Sequence, residues 1–131
     1  MADPTQVELR KFAVKDIYDK KYKDRAIKVM TVAAQSAIGK FAKGSKGYSL
    51  DGSLVSLAPD KAGKTLMAEC SITISTARGM QSFAKGKYGF TIPGVDKIKD
   101  QDIDDICKGA VAKAMDSAIP YIEKNPIVSP K

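Results

Sequence analysis

The sequence predicts an α+β domain: an antiparallel sheet of three to four strands with two main helices packed on one face, in the order β-α-β-β-β-α. Three observations carry this reading. From Leu66 the residues alternate, with Leu66, Ala68, Cys70, Ile72 and Ile74 on one side and Met67, Glu69, Ser71, Thr73 and Ser75 on the other, the period of a half-buried strand. The segment Ala58 to Gly63 holds a proline, an aspartate and a glycine in turn positions, so the strand before it, Tyr48 to Leu57, forms a hairpin with the strand after it. Two stretches change to helical spacing, near 24–42 and 100–122, and a sheet with one apolar face needs such helices to cover it.

Taken in order, residues 5–14 fit two patterns. Val7, Leu9, Phe12 and Val14 read as a broken strand, whereas Thr5 followed by Glu8 matches a capping box that would start a helix; the strand is preferred. Residues 16–25 alternate charges around Tyr18 and Tyr22 and read as an exposed loop. The first helix starts at Asp24, shows Ile27, Met30, Ala34, Ala37 or Ile38, and Phe41 on its stripe, and stops at Gly44 and Gly47. In the first hairpin strand the parity changes around Gly52 and Ser53, as at a bulge. After a turn at 77–79, a third hairpin strand runs from Phe83 to Ile92 with Tyr88, Phe90 and Ile92 on one side, ended by Pro93 and Gly94. In the last helix Asp100 and Asp102 offer caps, Asp104 and Asp105 complement the dipole, and Ile103, Ile106, Ala110, Ala114, Ala118 and Tyr121 form the stripe. Pro120 should kink or end it. One domain spans residues 1–124, and 125–131, with prolines at 126 and 130, form an extended tail.

Chemistry is hard to place on this chain. It has 131 residues, no histidine and two cysteines, Cys70 and Cys107, without metal-ligand spacing. Both cysteines fall on apolar faces and read as small core residues, with a disulfide between them as the alternative. Lys61 to Thr65 has the lysine and glycine of a phosphate loop, but Ala58 stands where the first glycine belongs and a strand follows where a helix is needed. Asp100, Asp102 and Asp104 have calcium-loop spacing, yet Val111 occupies the place of the bidentate glutamate. Serine or cysteine triads in their usual form require histidine, and no carboxylate pair lies in an apolar setting. No enzyme, metal, cofactor or small-molecule substrate is indicated.

Charge is the remaining signal. The net charge of +7 divides into +6 over residues 1–50, +2 over 51–94 and −1 over 95–131. A basic front suits an anionic partner, and a basic front with a mildly acidic back also suits contact between copies. The candidate anion-binding residues are Lys20, Lys21, Lys23, Arg25, Lys40, Lys43, Lys46, Lys85 and Lys87; the candidate acidic interface is Asp100, Asp102, Asp104 and Asp105. The segments Phe41 to Tyr48 and Phe83 to Phe90 share a Phe-Ala-Lys-Gly core followed by lysine, glycine and an aromatic residue. Each is half of the signature by which RNA-recognition folds stack bases on strand aromatics, which makes Tyr48, Tyr88 and Phe90 candidate stacking residues.

The order of elements, with Gly47-Tyr-Ser-Leu-Asp-Gly-Ser-Leu-Val-Ser-Leu57, Ala68-Glu-Cys-Ser-Ile-Thr-Ile-Ser75 and an alanine-rich helix ending Ala118-Ile-Pro-Tyr-Ile122, resembles small α/β modules of bacterial envelope proteins. These are the penicillin-binding-protein activator lipoproteins, the curli secretion lipoprotein and the N-terminal domain of the Tol translocation protein. The resemblance covers residues 5–124 and implies a protein-binding or assembling module without catalytic residues; no family site carries over. The start, Met1-Ala2-Asp3-Pro4, shows no signal segment, and no apolar run reaches the roughly 18 residues of a membrane helix. The expected setting is the cytoplasm for a complete chain and the envelope for one whose signal has been removed. Two functions follow: a non-enzymatic, self-associating structural or protein-interaction module joining its basic half to the acidic helix start of another copy, or a nucleic-acid-binding domain.

Overall fold

The computed structural model describes residues 7–38 and 47–125. Strand β1 (Glu8–Val14) leads through a 3-10 turn (Lys20–Tyr22) into helix α1 (Lys23–Ile38), and strands β2 (Ser49–Pro59), β3 (Thr65–Thr76) and β4 (Gly79–Thr91) follow as a meander. After a second 3-10 turn (Val95–Lys97), helix α2 (Asp100–Lys124) closes the chain. The sheet order is β1-β2-β3-β4. β2, β3 and β4 are antiparallel, as expected, but β1 runs parallel to β2, so the sheet is mixed. The reason lies in the connection: α1 intervenes between the two strands, and a crossover through a helix returns the chain to the same end of the sheet.

One face of the sheet is dry. Leu50, Leu54, Leu57, Leu66, Cys70 and Ile72 are fully buried there, under Ala26, Met30 and Ala34 of α1 and Ile103, Ile106, Ala110 and Ala114 of α2. α2 packs on β3 and β4, while α1 packs on β1 and α2. Sequence periodicity finds both stripes, with Met30, Ala34 and Ile38 of α1 buried as expected, and differs at the first turn, where Ala26 and not Ile27 is buried. On α2, Ile122 is buried where Tyr121 was expected. The parity change in β2 lies between Leu54 and Ser56, later than Gly52. Gly52 lies on the dry face opposite Ile72, and the Phe12 ring occupies the space its Cβ would take.

The ends of elements differ from expectation in instructive ways. α1 is led in by the 3-10 turn, in which the Lys21 amide donates to Asp19 Oδ1 at 3.1 Å, in place of a cap at Asp24. α2 begins with Asp102 accepting from the Lys99 amide at 2.9 Å, and it continues through Pro120 to Lys124. Ala118 and Ile122 are buried on either side of that proline, and their packing holds the turn that the missing N–H leaves open. β4 starts at Gly79, four residues before Phe83, because the chain turns over Ala77 and Arg78 alone. The second Phe-Ala-Lys-Gly segment therefore lies inside a strand and is not a turn leading into one. Phe41 and Gly44, with the rest of the first copy up to Lys46, fall outside the described residues, as does the tail beyond Asn125.

The turn at 60–64 is a hairpin loop and not a phosphate cradle. Asp60 Oδ1 accepts the amides of Lys64 (3.0 Å) and Thr65 (3.2 Å), and Gly63 takes a φ of +71°. These donors, the Lys64 amide first, hold the Asp60 carboxyl below its usual range. A lowered folded pKa contributes stability above the unfolded value of about 4, and that contribution disappears as pH falls through the lowered value. Accordingly, Asp60→Ala should narrow the difference between urea midpoints measured at pH 6 and pH 2.5. An unchanged difference would show that the turn does not use the charge.

Candidate interaction surface

Among the described residues, no helix covers the opposite face of the sheet. Alternation sends Asp51 and Ser53 of β2, Met67, Glu69, Ser71, Thr73 and Ser75 of β3, and Phe83, Lys85 and Lys87 of β4 to this side. Its two middle strands present small hydroxyl side chains, whereas the β4 side projects large ones. Phe83 is 56% exposed, Met80 65% and Met67 44%. The Met67 thioether lies over Gly89, which widens the apolar strip along β4. Lys85 stands 5.6 Å from the centre of the Phe83 ring, and Lys87 sits 3.7 Å from Glu69.

The candidate site residues separate into three groups. Lys20, Lys21, Lys23 and Arg25 cluster where the 3-10 turn enters α1; of these, Arg25 meets the acidic start of α2 within the chain, and Lys21 lies 3.8 Å from Asp19. Arg25 grips Asp104 with two hydrogen bonds, Nε at 2.7 Å and Nη2 at 2.9 Å, and reaches Asp100 at 3.5 Å. This fork joins α1 to α2 across 79 residues of sequence. Its hydrogen bond to Asp104 raises the guanidinium pKa further. Asp102 caps α2, and Asp105 accepts from Gln101 at 2.8 Å. Lys85 and Lys87 form the second group, on the open face, and Lys40, Lys43 and Lys46 lie outside the described residues.

The aromatic residues form the third group and do not join the lysines. Tyr88 and Phe90 lie on the helix-facing side of β4, with ring centres 6.0 Å apart in an edge-on arrangement, and Tyr88 packs against Gly109 of α2. Tyr48 is buried at the far end of the sheet, where its hydroxyl donates to the Asn125 carbonyl. Stacking rings and phosphate-contacting lysines on opposite sides of a sheet cannot grip one strand of nucleic acid, and this arrangement gives that reading no support. Sequence reasoning passed over Met67, Met80 and Phe83, although the odd-numbered phase of β4 already separates Phe83 from Tyr88 and Phe90.

The hollows between described residues are open to solvent. One of about 280 Å³ at the end of the sheet is lined by Glu8, Arg10, Tyr48, Ser49 and Thr76, and its two charges face each other at 3.5 Å. Among the described residues no buried side-chain nitrogen or oxygen lacks a hydrogen-bond partner, and no group of three or more His, Cys, Asp and Glu could hold a metal. No helix among them is long and apolar enough to cross a membrane.

No protein-family model matches the chain, and neither does any curated relative. Solved structures do match. The PelC dodecamer from Paraburkholderia phytofirmans superposes with a TM-score of 0.54 at 10% identity, covering 88% of this chain and 89% of that one. A protein of Caulobacter crescentus CB15 assigned to the lipoproteins gives 0.51 at 11% identity, covering 85% and 88%. The likeness is one of fold. It places the fold beside those of small bacterial α/β domains, and the resemblance drawn from the order of elements holds at that level alone.

Proposed function

We propose that this protein is a non-enzymatic structural module that works by associating with copies of itself, in a bacterial envelope setting. The observation that carries the reading is the sheet face that no described helix covers, with Met67, Met80 and Phe83 exposed on it. Large apolar side chains grouped on a flat, uncovered face mark a surface meant to be met by another protein. The Arg25 fork supports the same direction, since it takes up Asp104 and Asp100 of the acidic helix start inside the chain and so favours the sheet face as the contact. Two fold relatives support it by what they are: PelC forms a dodecamer, and the Caulobacter protein is grouped with lipoproteins.

Light scattering over a concentration series at low salt tests this reading. The expected result is a mass that rises above the 14.1 kDa of one chain as concentration increases. A constant mass of one chain up to millimolar concentration would overturn it.

A further inference from the structure

We propose that the outer edge of β4 binds an extended segment of another protein as an added strand, and that this segment alternates carboxylate with apolar side chains. β4 ends the sheet: it pairs with β3 on one side, and no described strand pairs with it on the other. The direction of its backbone groups is set by the ladder. The Ile92 amide donates to the Lys64 carbonyl at 2.8 Å, and the same phase continues through Leu66 with Phe90, Cys70 with Gly86 and Ile72 with Ala84. The even-numbered residues of this run therefore turn their N–H and C=O groups to β3, and Phe83, Lys85, Lys87, Gly89 and Thr91 turn theirs outward. All of these are exposed. A row of outward donors and acceptors is the template on which strand addition works.

Charge decides what the edge accepts. Lys85 and Lys87 project beside it onto the open face, where Lys87 reaches Glu69 at 3.7 Å. No ion pair among the described residues involves Lys85, whose Nζ stands 5.6 Å from the centre of the Phe83 ring. Antiparallel pairing with β4 of a second copy about Gly86 would set Lys85 against Lys87 twice, and like charges directly opposite are destabilising. A segment with carboxylates at two alternate positions meets both lysines instead, so the same pair of residues rejects a copy and selects an acidic strand. The residues that alternate with those carboxylates fall on the helix side, one of them beside Tyr88. That ring packs on Gly109 and is still 37% exposed, so an apolar side chain there covers the rest of it. Backbone hydrogen bonds supply the affinity and the alternating side chains supply the choice. The occupant is a different protein and not another copy, and Lys85 and Lys87 bind its carboxylates.

Two short synthetic peptides test this on the full chain, one alternating valine with glutamate and one alternating valine with lysine, read by fluorescence anisotropy and amide hydrogen exchange. The glutamate peptide is expected to bind about tenfold more tightly than the lysine peptide, as two cross-strand charge pairs of opposite sign allow. It should also slow exchange of the Phe83, Lys85, Lys87 and Gly89 amides. The double variant Lys85→Gln with Lys87→Gln, its fold confirmed by far-UV circular dichroism, should lose the preference and keep the slowed exchange, since its backbone edge is intact. Equal affinity of the native chain for the two peptides would overturn the acidic partner. Binding that leaves those amides unslowed would overturn the edge as the site. Slowed exchange at the same amides on raising the concentration of the chain alone would assign the edge to a second copy. No binding at millimolar peptide removes the site altogether, whatever mass light scattering gives.

Discussion

Gly86→Ala is expected to cost about 3 kcal/mol of stability, read as a lowered urea midpoint, although it adds a single methyl group. Gly86 sits on the dry side of β4 where α2 comes closest. A Cβ there would stand 2.2 Å from the Ala114 amide nitrogen and 2.5 Å from the Ala110 carbonyl oxygen. Both are backbone atoms, so no rotamer change relieves the clash and the helix itself must lift from the sheet. Lifting it would open the packing of Ile103, Ile106 and Cys107, all fully buried. The comparison is Gly89→Ala, three residues along the same strand. There the nearest atom is the Met67 sulfur at 2.8 Å, at the end of a side chain that can swing away on the open face. Replacing a strand glycine generally gains up to about 1 kcal/mol through the unfolded chain, so this variant should lie within about 1 kcal/mol of the parent. Similar losses from both variants would mean that strand entropy or pairing, and not the approach of α2, sets the cost.

The second large effect concerns Cys70 and Cys107, which are free thiols with no exposed surface. Burial, first, and for Cys70 the neighbouring Cys107 push both up from 9.0 to about 12; for Cys107 the second contribution is the charge of Asp104. At pH 8 the thiolate fraction is then about a thousandfold below that of an exposed cysteine, because each unit is a factor of ten. Iodoacetamide should accordingly label the folded protein at least about 10³ times more slowly than the protein in 8 M urea. The same shift sets a pH dependence. The folded state binds these protons more tightly than the unfolded one, so their contribution is fully present below pH 9 and is lost as pH rises from there through about 12. Over that window stability should fall by about 1.4 kcal/mol per pH unit for each thiol. The double variant Cys70→Ala with Cys107→Ala should flatten the fall, and a slope unchanged by it would assign the alkaline loss to other groups. Tyr18, also pushed up to about 12 chiefly by burial, adds to the loss above pH 10.

Most of the fold was legible because it rests on local signals. The alternation of Leu66 to Ser75, the turn around Asp60 and the stripe from Ile103 to Ala118 each declare an element over a short window, and all three occur as read. What escaped depends on placement in space. The parallel course of β1 follows from α1 lying between it and β2, a topological consequence that the hydrophobicity of either strand does not encode. Pro120 was weighed by its local cost, whereas burial of Ala118 and Ile122 decides the outcome. Arg25 was recognised as a cation and Asp104 as an anion, but two side chains 79 residues apart become partners only once both helices lie on one sheet. The surface now favoured for association was half visible: the wet side of β3 was identified, and Phe83 was left out because its strand was thought to begin with it.

β1 meets the sheet through one neighbour only, and the helix that delivers it separates it from that neighbour by more than thirty residues. Every other strand joins the one immediately before or after it along the chain. Closing the long span surrenders more conformational freedom than closing either hairpin. The meander and its covering helix can thus assemble as an early nucleus, with the first strand sliding into its slot as the final and slowest act of folding.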